Sequence, residues 1–134
     1  MIDAGNGGRI VNNASITGLG ASSGALGYTP YSVTKAALIH MTKCAALEYI
    51  PENIRINAVA PSVVETPLLT SILETAEDPV STLADLNRFN PMGLHNGTLL
   101  QYSDVSGVIS FLVGPDAKYI NGQTIAVDGG FTIQ

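Results

Sequence analysis

The sequence predicts an α/β fold built on a parallel sheet. Predicted strands and helices alternate along the chain, which is the pattern of successive βαβ units. Segment 54–60 has the composition of a buried strand, as expected in a sheet that helices cover on both faces. With 134 residues, of which 46% are hydrophobic, the chain is long enough for one domain with a real core. We therefore treat residues 1–134 as a single domain.

The first predicted element is a short strand over residues 9–14 that closes at Ser15. A turn composition, Gly5-Asn6-Gly7-Gly8, precedes it. Residues 16–28 follow as a loop of Gly, Ala and Ser with almost no charge, and such small residues permit the close approach of a ligand.

The first helix is predicted to begin with Thr29 as its cap and Pro30 at its first position, and to run to about Tyr49. Ile50-Pro51 cannot continue it. The helix carries few charges and has no continuous polar face. We expect it to be buried on two sides, against the sheet and against a second helix or subunit.

The remaining elements follow in order. Pro61 ends the strand at 54–60, and Thr66-Pro67 starts a second helix that runs to about Thr75. Residues 76–102 are predicted to be irregular, with Pro79, Pro91 and Asn96-Gly97 as breakers. A helix over 103–113 and a last strand over 123–127 complete the chain. Three strands are few, since such sheets usually have about five or six.

Composition limits the function. The net charge of −5 argues against a nucleic-acid partner, which needs a basic surface. Cys44 is the only cysteine, so no internal disulfide or cysteine metal cluster is expected, and a cytoplasmic location fits. No apolar run approaches the roughly 20 residues of a membrane span, and no residues are spaced as ligands of a metal.

The candidate chemistry lies where the strands end. Ser15 ends the first strand, Pro61 to Thr66 follow the second, and Tyr31 and Lys35 stand four residues apart on the first helix. Because ligands bind beyond the carboxyl ends of the strands in open α/β sheets, these groups can converge on one crevice. An ammonium near a phenol favours the phenolate, so this pair can transfer protons. Tyr and Lys at this spacing are also common on helix surfaces, and a serine at a strand end is often a turn former.

Four segments together resemble the C-terminal half of the short-chain dehydrogenase/reductase family. They are residues 8–15, which resemble the strand that carries the catalytic serine, the Tyr-x-x-x-Lys motif over 31–35, segment 53–61 followed by Glu65-Thr66-Pro67, and segment 122–130, which ends in Asp-Gly-Gly. The resemblance covers nearly the whole chain. It implies the C-terminal βαβ portion of a partial, Rossmann-like doubly wound parallel sheet.

The resemblance also implies a reaction. Hydride would pass between the nicotinamide of NAD or NADP and a secondary alcohol or ketone, with Tyr31 as general acid/base. Lys35 would assist Tyr31 and bind the nicotinamide ribose, and Ser15 would orient the substrate oxygen. The loop of Pro61, Val64 and Thr66 would lie beside the nicotinamide, with the Val64 backbone and the Thr66 hydroxyl on its carboxamide. The family resemblance also implies a homodimer or homotetramer.

The sequence departs from the family pattern in three ways. The loop between Ser15 and Tyr31 is longer than usual. Tyr28 stands at the usual spacing, but four residues later comes Ser32 rather than lysine, so Tyr31 is preferred. Ser62 replaces the usual glycine after Pro61, which is tolerated if its φ is negative.

The third departure is the largest, because the family's N-terminal half, with its glycine-rich phosphate-binding turn, has no counterpart here. Segment 5–8 precedes a strand, whereas a phosphate-binding turn must follow one. A truncated, non-catalytic remnant that acts through oligomer contacts is therefore the alternative. As a separate chain, it is expected to oligomerise or aggregate.

Overall fold

The computed structural model describes residues 1–20 and 28–134, and its centre is a three-stranded parallel sheet. The strands are β1 (Gly8–Asn13), β2 (Ile54–Pro61) and β3 (Thr124–Val127), in the order β1-β2-β3. Gly8 pairs with Ile54, and Ala58 pairs with Thr124. The predicted α/β class with a parallel sheet is confirmed.

Five α-helices are described. They are α1 (Tyr28–Glu48), α2 (Pro67–Thr75), α3 (Pro79–Asn87), α4 (Pro91–Asn96) and α5 (Tyr102–Val113). None of the described helices is long and apolar enough to cross a membrane.

Helices α1 and α5 cover opposite faces of the sheet. Ile39 and Ala46 of α1 belong to core clusters that include Ala58 and Ile56 of β2. Val59 points to the other face and packs in a cluster with Val105 and Leu112 of α5. Successive residues of β2 thus enter different cores, which explains why an apolar residue is required on both faces of this strand.

Arg55 on β2 connects this strand to the C-terminal end of α5 through hydrogen bonds. Arg55 donates hydrogen bonds to the carbonyl oxygens of Leu112 (2.9 Å), Gly114 (3.3 Å) and Ile120 (3.0 Å). The first two lie at the C-terminal end of α5, where a cation also complements the helix dipole. Burial and the nearby charge of Arg9 hold the pKa of Arg55 below its usual value.

The interpretation of residues 76–102 as irregular is wrong, because α3 and α4 lie there. Pro79 and Pro91 are first residues of helices rather than breakers. Asp78 accepts hydrogen bonds from the N–H groups of Val80 and Ser81, and Asn90 accepts one from Gly93. Proline is favoured directly after such caps, since its missing N–H would have no partner inside the helix.

Helix α1 also differs from its prediction. Thr29 lies inside the helix instead of capping it. The residues of α1 that this chain buries fully are Ile39, Thr42 and Ala46, all on the sheet side. Val33 and Leu47 are 61% and 72% exposed. The expected second buried side of α1 is therefore not covered by the described residues.

Candidate active site

A pocket opens beyond the carboxyl ends of β1 and β2, with a volume of about 580 Å³. Every residue that the sequence predicts for the site lines it, namely Ser15, Tyr31, Lys35, Pro61, Val64 and Thr66. The position agrees with the rule that ligands of parallel α/β sheets bind at this end of the strands.

Ser15 lines the pocket and is almost fully buried. It is 7% exposed and caps a short 3₁₀ turn, Ile16–Gly18. Its Oγ accepts hydrogen bonds from the backbone N–H of Thr17 (3.3 Å) and from the Thr17 hydroxyl (3.1 Å). Both of these contacts use Oγ as the acceptor, which leaves the Ser15 hydroxyl able to donate its hydrogen to an acceptor such as a carbonyl oxygen.

Tyr31 and Lys35 lie on the side of α1 that faces the sheet. The Lys35 Nζ donates a 2.9 Å hydrogen bond to the Asn13 carbonyl oxygen and lies 5.5 Å from the centroid of the Tyr31 ring. The cation therefore stands between the end of β1 and the phenol.

A close approach at Gly18 brings the Ser15 turn and α1 together. A Cβ atom at Gly18 would lie 2.6 Å from the backbone carbon of Lys35, which is too close for any other residue. Glycine at this position therefore sets the distance between the turn that carries Ser15 and the helical turn that carries Lys35.

Tyr28 is the second tyrosine of the pocket. Its ring packs edge-on against Tyr31, with centroids 5.9 Å apart, and both side chains are 45% exposed. The Lys35 ammonium lies over the Tyr31 ring, and the choice of Tyr31 over Tyr28 stays a prediction.

The loop after β2 forms the opposite wall. Thr66 caps α2 and accepts a hydrogen bond from the N–H of Leu69 (3.2 Å), and Val64 forms a parallel bridge with Leu100. Asn53 is the one non-glycine residue with positive φ in the described part of the chain. Ser62 is therefore outside the positive-φ region, which is the condition under which a serine can replace the usual glycine.

Ser62 also connects this loop to the next helices. Its N–H donates to the Val127 carbonyl oxygen (3.0 Å), and its hydroxyl donates to the carbonyl oxygen of Phe89, between α3 and α4. Phe89 packs edge-on against Phe131. The α3–α4 junction is thus attached to the loops after both β2 and β3.

Sequence reasoning missed several parts of the pocket. The contribution of Asn13 is a backbone carbonyl, which no residue type can indicate. Thr17 stands two residues after a serine, a spacing that signals a local turn and could have been noticed. The apolar wall from α2 and α3 was missed because α3 itself was missed.

The sequence is similar to a family model and to curated reductases. Residues 2–132 match the family model described as enoyl-(acyl carrier protein) reductase. A 3-oxoacyl-(acyl-carrier-protein) reductase from Thermotoga maritima is 38% identical over 94% of this chain and 46% of its own length. A diacetyl reductase from Staphylococcus aureus is 41% identical over 93% and 48%.

Solved structures agree with these matches. The structure of ElxO with NADP bound superposes with a TM-score of 0.80 at 35% identity, covering 100% of this chain and 50% of that one. The structure of 4-hydroxyisoleucine dehydrogenase with NADH gives a TM-score of 0.73 at 29% identity, with 98% and 49% covered. The chain spans about half the length of the curated relatives it matches.

Proposed function

The chain belongs to the short-chain dehydrogenase/reductase family, and from this premise we propose that its pocket transfers the proton in an NAD(P)-dependent reduction of a ketone or oxidation of a secondary alcohol. The observation that carries the proposal is the convergence of Ser15, Tyr31 and Lys35 on one cavity. An electrostatically assisted phenol beside a hydroxyl donor suits a substrate whose oxygen changes its protonation state.

The described residues fit the nicotinamide end of the cofactor. Pro61, Val64, Thr66 and Lys35 all line the pocket. Their backbone groups, hydroxyl and ammonium match the carboxamide and ribose hydroxyls of a nicotinamide nucleotide. When bound, the nicotinamide supplies or accepts the hydride. The neighbours with NADP and NADH leave the choice between the two open.

The chain's own residues divide the remaining work. Ser15 donates a hydrogen bond to the substrate oxygen and fixes its position. Tyr31 gives its proton to that oxygen in the direction of reduction and takes one back in oxidation. Lys35 stabilises the phenolate that Tyr31 becomes after giving up the proton, and its bond to Asn13 keeps the ammonium in place.

The clearest test is Tyr31→Phe in the protein expressed from its native gene. We expect the carbonyl reduction rate, followed by the loss of NADH or NADPH absorbance, to fall by about 10²–10⁴-fold, the usual contribution of a positioned general acid. The fully exposed Tyr119 provides the matched control, Tyr119→Phe. A Tyr31→Phe enzyme with a near-normal rate would refute the assignment of Tyr31.

The alternative function is association without catalysis. It is favoured by the apolar side chains that α1 exposes, among them Val33 and Leu47. Titration of the 134-residue chain with NADH and NADPH, followed by nucleotide fluorescence, separates the two functions. No binding at millimolar cofactor would favour the alternative for this chain.

The family resemblance implies a homodimer or homotetramer, and the exposed apolar face of α1 supports such an assembly. We therefore include it in the proposal. The single domain over residues 1–134 and a cytoplasmic location complete the proposal, the latter resting on the single cysteine, Cys44.

A further inference from the structure

One part of the pocket lining comes from the helices that follow β2 and is mostly apolar. We call it the distal wall and define it by the side chains of Leu68, Leu69 and Ile72 from α2, Asp85 and Leu86 from α3, and Phe89 just after α3. Leu68 is 72% exposed and Ile72 is 44% exposed. A ligand that reached the distal wall would remove this apolar surface from water.

Charge in the pocket is distributed unevenly. Among the described lining residues, Lys35 and Asp85 carry a full charge. Lys35 is engaged at the reacting end by the Asn13 carbonyl. Asp85 therefore supplies the charge of the distal wall, and that charge is negative.

Asp85 forms an exposed ion pair with Arg88, and only the acidic member of this pair lines the pocket. Arg88 Nη2 lies 3.4 Å from the carboxylate, and the two side chains are 76% and 63% exposed, respectively. Exposed pairs of this kind are weak. Arg88 is also absent from the lining residues, so no guanidinium faces a ligand tail at this end.

From these observations we propose that the pocket accepts an uncharged, predominantly apolar ketone or alcohol, and that Asp85 is a specificity-determining residue that disfavours a substrate with an anionic tail. This inference rests on the proposed function and narrows its substrate class. The volume of about 580 Å³, which the substrate would share with the nicotinamide end of the cofactor, lies in the range of small-molecule sites. A carboxylate tail would lose its hydration against apolar side chains and meet a like charge.

The test compares two probes of equal chain length, 2-octanone and 7-oxooctanoate. Their binding to the protein expressed from its native gene is measured by ligand-detected NMR, both with and without NADP, and their reduction is measured separately. We expect 2-octanone to bind at least about tenfold more tightly, a difference of roughly 1.4 kcal/mol. Equal binding, or tighter binding of the carboxylate, would overturn the inference.

Variants of Asp85 separate charge from apolar contact. In Asp85→Asn, we expect the preference for 2-octanone to fall about two- to fivefold, mainly through tighter binding of 7-oxooctanoate, and the effect to shrink as salt is raised. The control is Glu77→Gln, which changes the net charge equally at an exposed residue outside the pocket lining. An equal change in both variants, or an unchanged preference in Asp85→Asn, would contradict the role of Asp85.

The binding and reduction measurements also separate a failure of this inference from a failure of the proposed function. If neither probe is reduced but 2-octanone binds preferentially, hydride transfer fails and the substrate preference stands. If both probes bind and are reduced equally well, the oxidoreductase function stands and the preference is refuted.

Discussion

Ser62 illustrates how one residue alters the family pattern. Glycine would provide only backbone here, whereas the serine hydroxyl donates to the carbonyl of Phe89. The sequence indicates that a side chain replaces glycine at this point. It could not indicate the partner, because Phe89 lies 27 residues away at the end of a helix that the sequence did not predict.

Asp128 is the residue for which a pH dependence can be predicted. Burial by itself would raise the pKa of Asp128, but hydrogen bonds from the Thr132 hydroxyl and from the N–H groups of Thr132 and Gly130 outweigh it and hold this pKa below its usual value. A carboxyl group whose pKa is lowered on folding stabilises the fold above its unfolded pKa, near 4. That stabilisation is lost as the pH falls through the folded pKa.

We therefore predict that Asp128→Asn lowers the free energy of unfolding by about 1–3 kcal/mol at neutral pH, since an amide leaves at least one donor unpaired. The difference from wild type should shrink as the pH falls below about 4. Urea unfolding between neutral and acidic pH measures both effects. Asp116→Asn, at an exposed position, is the control. A loss that stays constant with pH would contradict the role of ionisation.

At the scale of elements, helix starts explain both the success and the failure of the sequence prediction. Thr66-Pro67 was interpreted as a cap followed by a first helical residue, and α2 begins at Pro67. The same signal occurs at Asp78-Pro79 and Asn90-Pro91, where proline was taken as a breaker. Helices α3 and α4 have only nine and six residues, so hydrophobic periodicity gave little support for either.

Asp78 and Asn90, the N-terminal caps of α3 and α4, should contribute differently to the stability of the fold. Asn90 is 4% exposed, and its side chain accepts from Gly93 in a crowded junction. Asp78 is exposed and accepts from two N–H groups. We predict that Asn90→Ala lowers the free energy of unfolding by about 2 kcal/mol and Asp78→Ala by about 0.5–1 kcal/mol.

Chemical denaturation of both variants measures this difference, with Thr98→Ala as a substitution outside the helices. Hydrogen exchange adds a local readout, because loss of the Asn90 cap should raise exchange at Gly93 and leave that of β2 unchanged. A larger destabilisation by Asp78→Ala than by Asn90→Ala would show that burial of the cap does not determine its contribution.

At the scale of the whole molecule, the three strands, the helices α1, α2 and α5, and the convergence of the predicted site residues on one pocket followed from the sequence. Strand composition, the Thr-Pro signal and the rule for ligands at strand ends all act over short distances along the chain. The distal wall and the uncovered side of α1 did not follow, because they depend on how distant helices pack. The apolar character of α1 did indicate that something beyond the sheet should cover it.

The exposed side of α1 leads to a prediction about assembly. Val33, Met41 and Leu47 are 61%, 52% and 72% exposed and lie on one side of the helix, away from the sheet. Within the described residues, β1 also pairs on one side only, with β2. Uncovered apolar helix faces and open strand edges favour association. We predict that the protein forms a dimer or a larger assembly through α1.

The double variant Val33→Glu/Leu47→Glu should weaken this association at least tenfold, about 1.4 kcal/mol, because burying two carboxylates in the interface is unfavourable. Sedimentation velocity over a concentration series measures the shift toward monomer. The control is Val80→Glu on α3, at a side chain that is 80% exposed but distant from α1 in sequence. A wild-type protein that stays monomeric, or an equal effect of Val80→Glu, would show that α1 is not the interface.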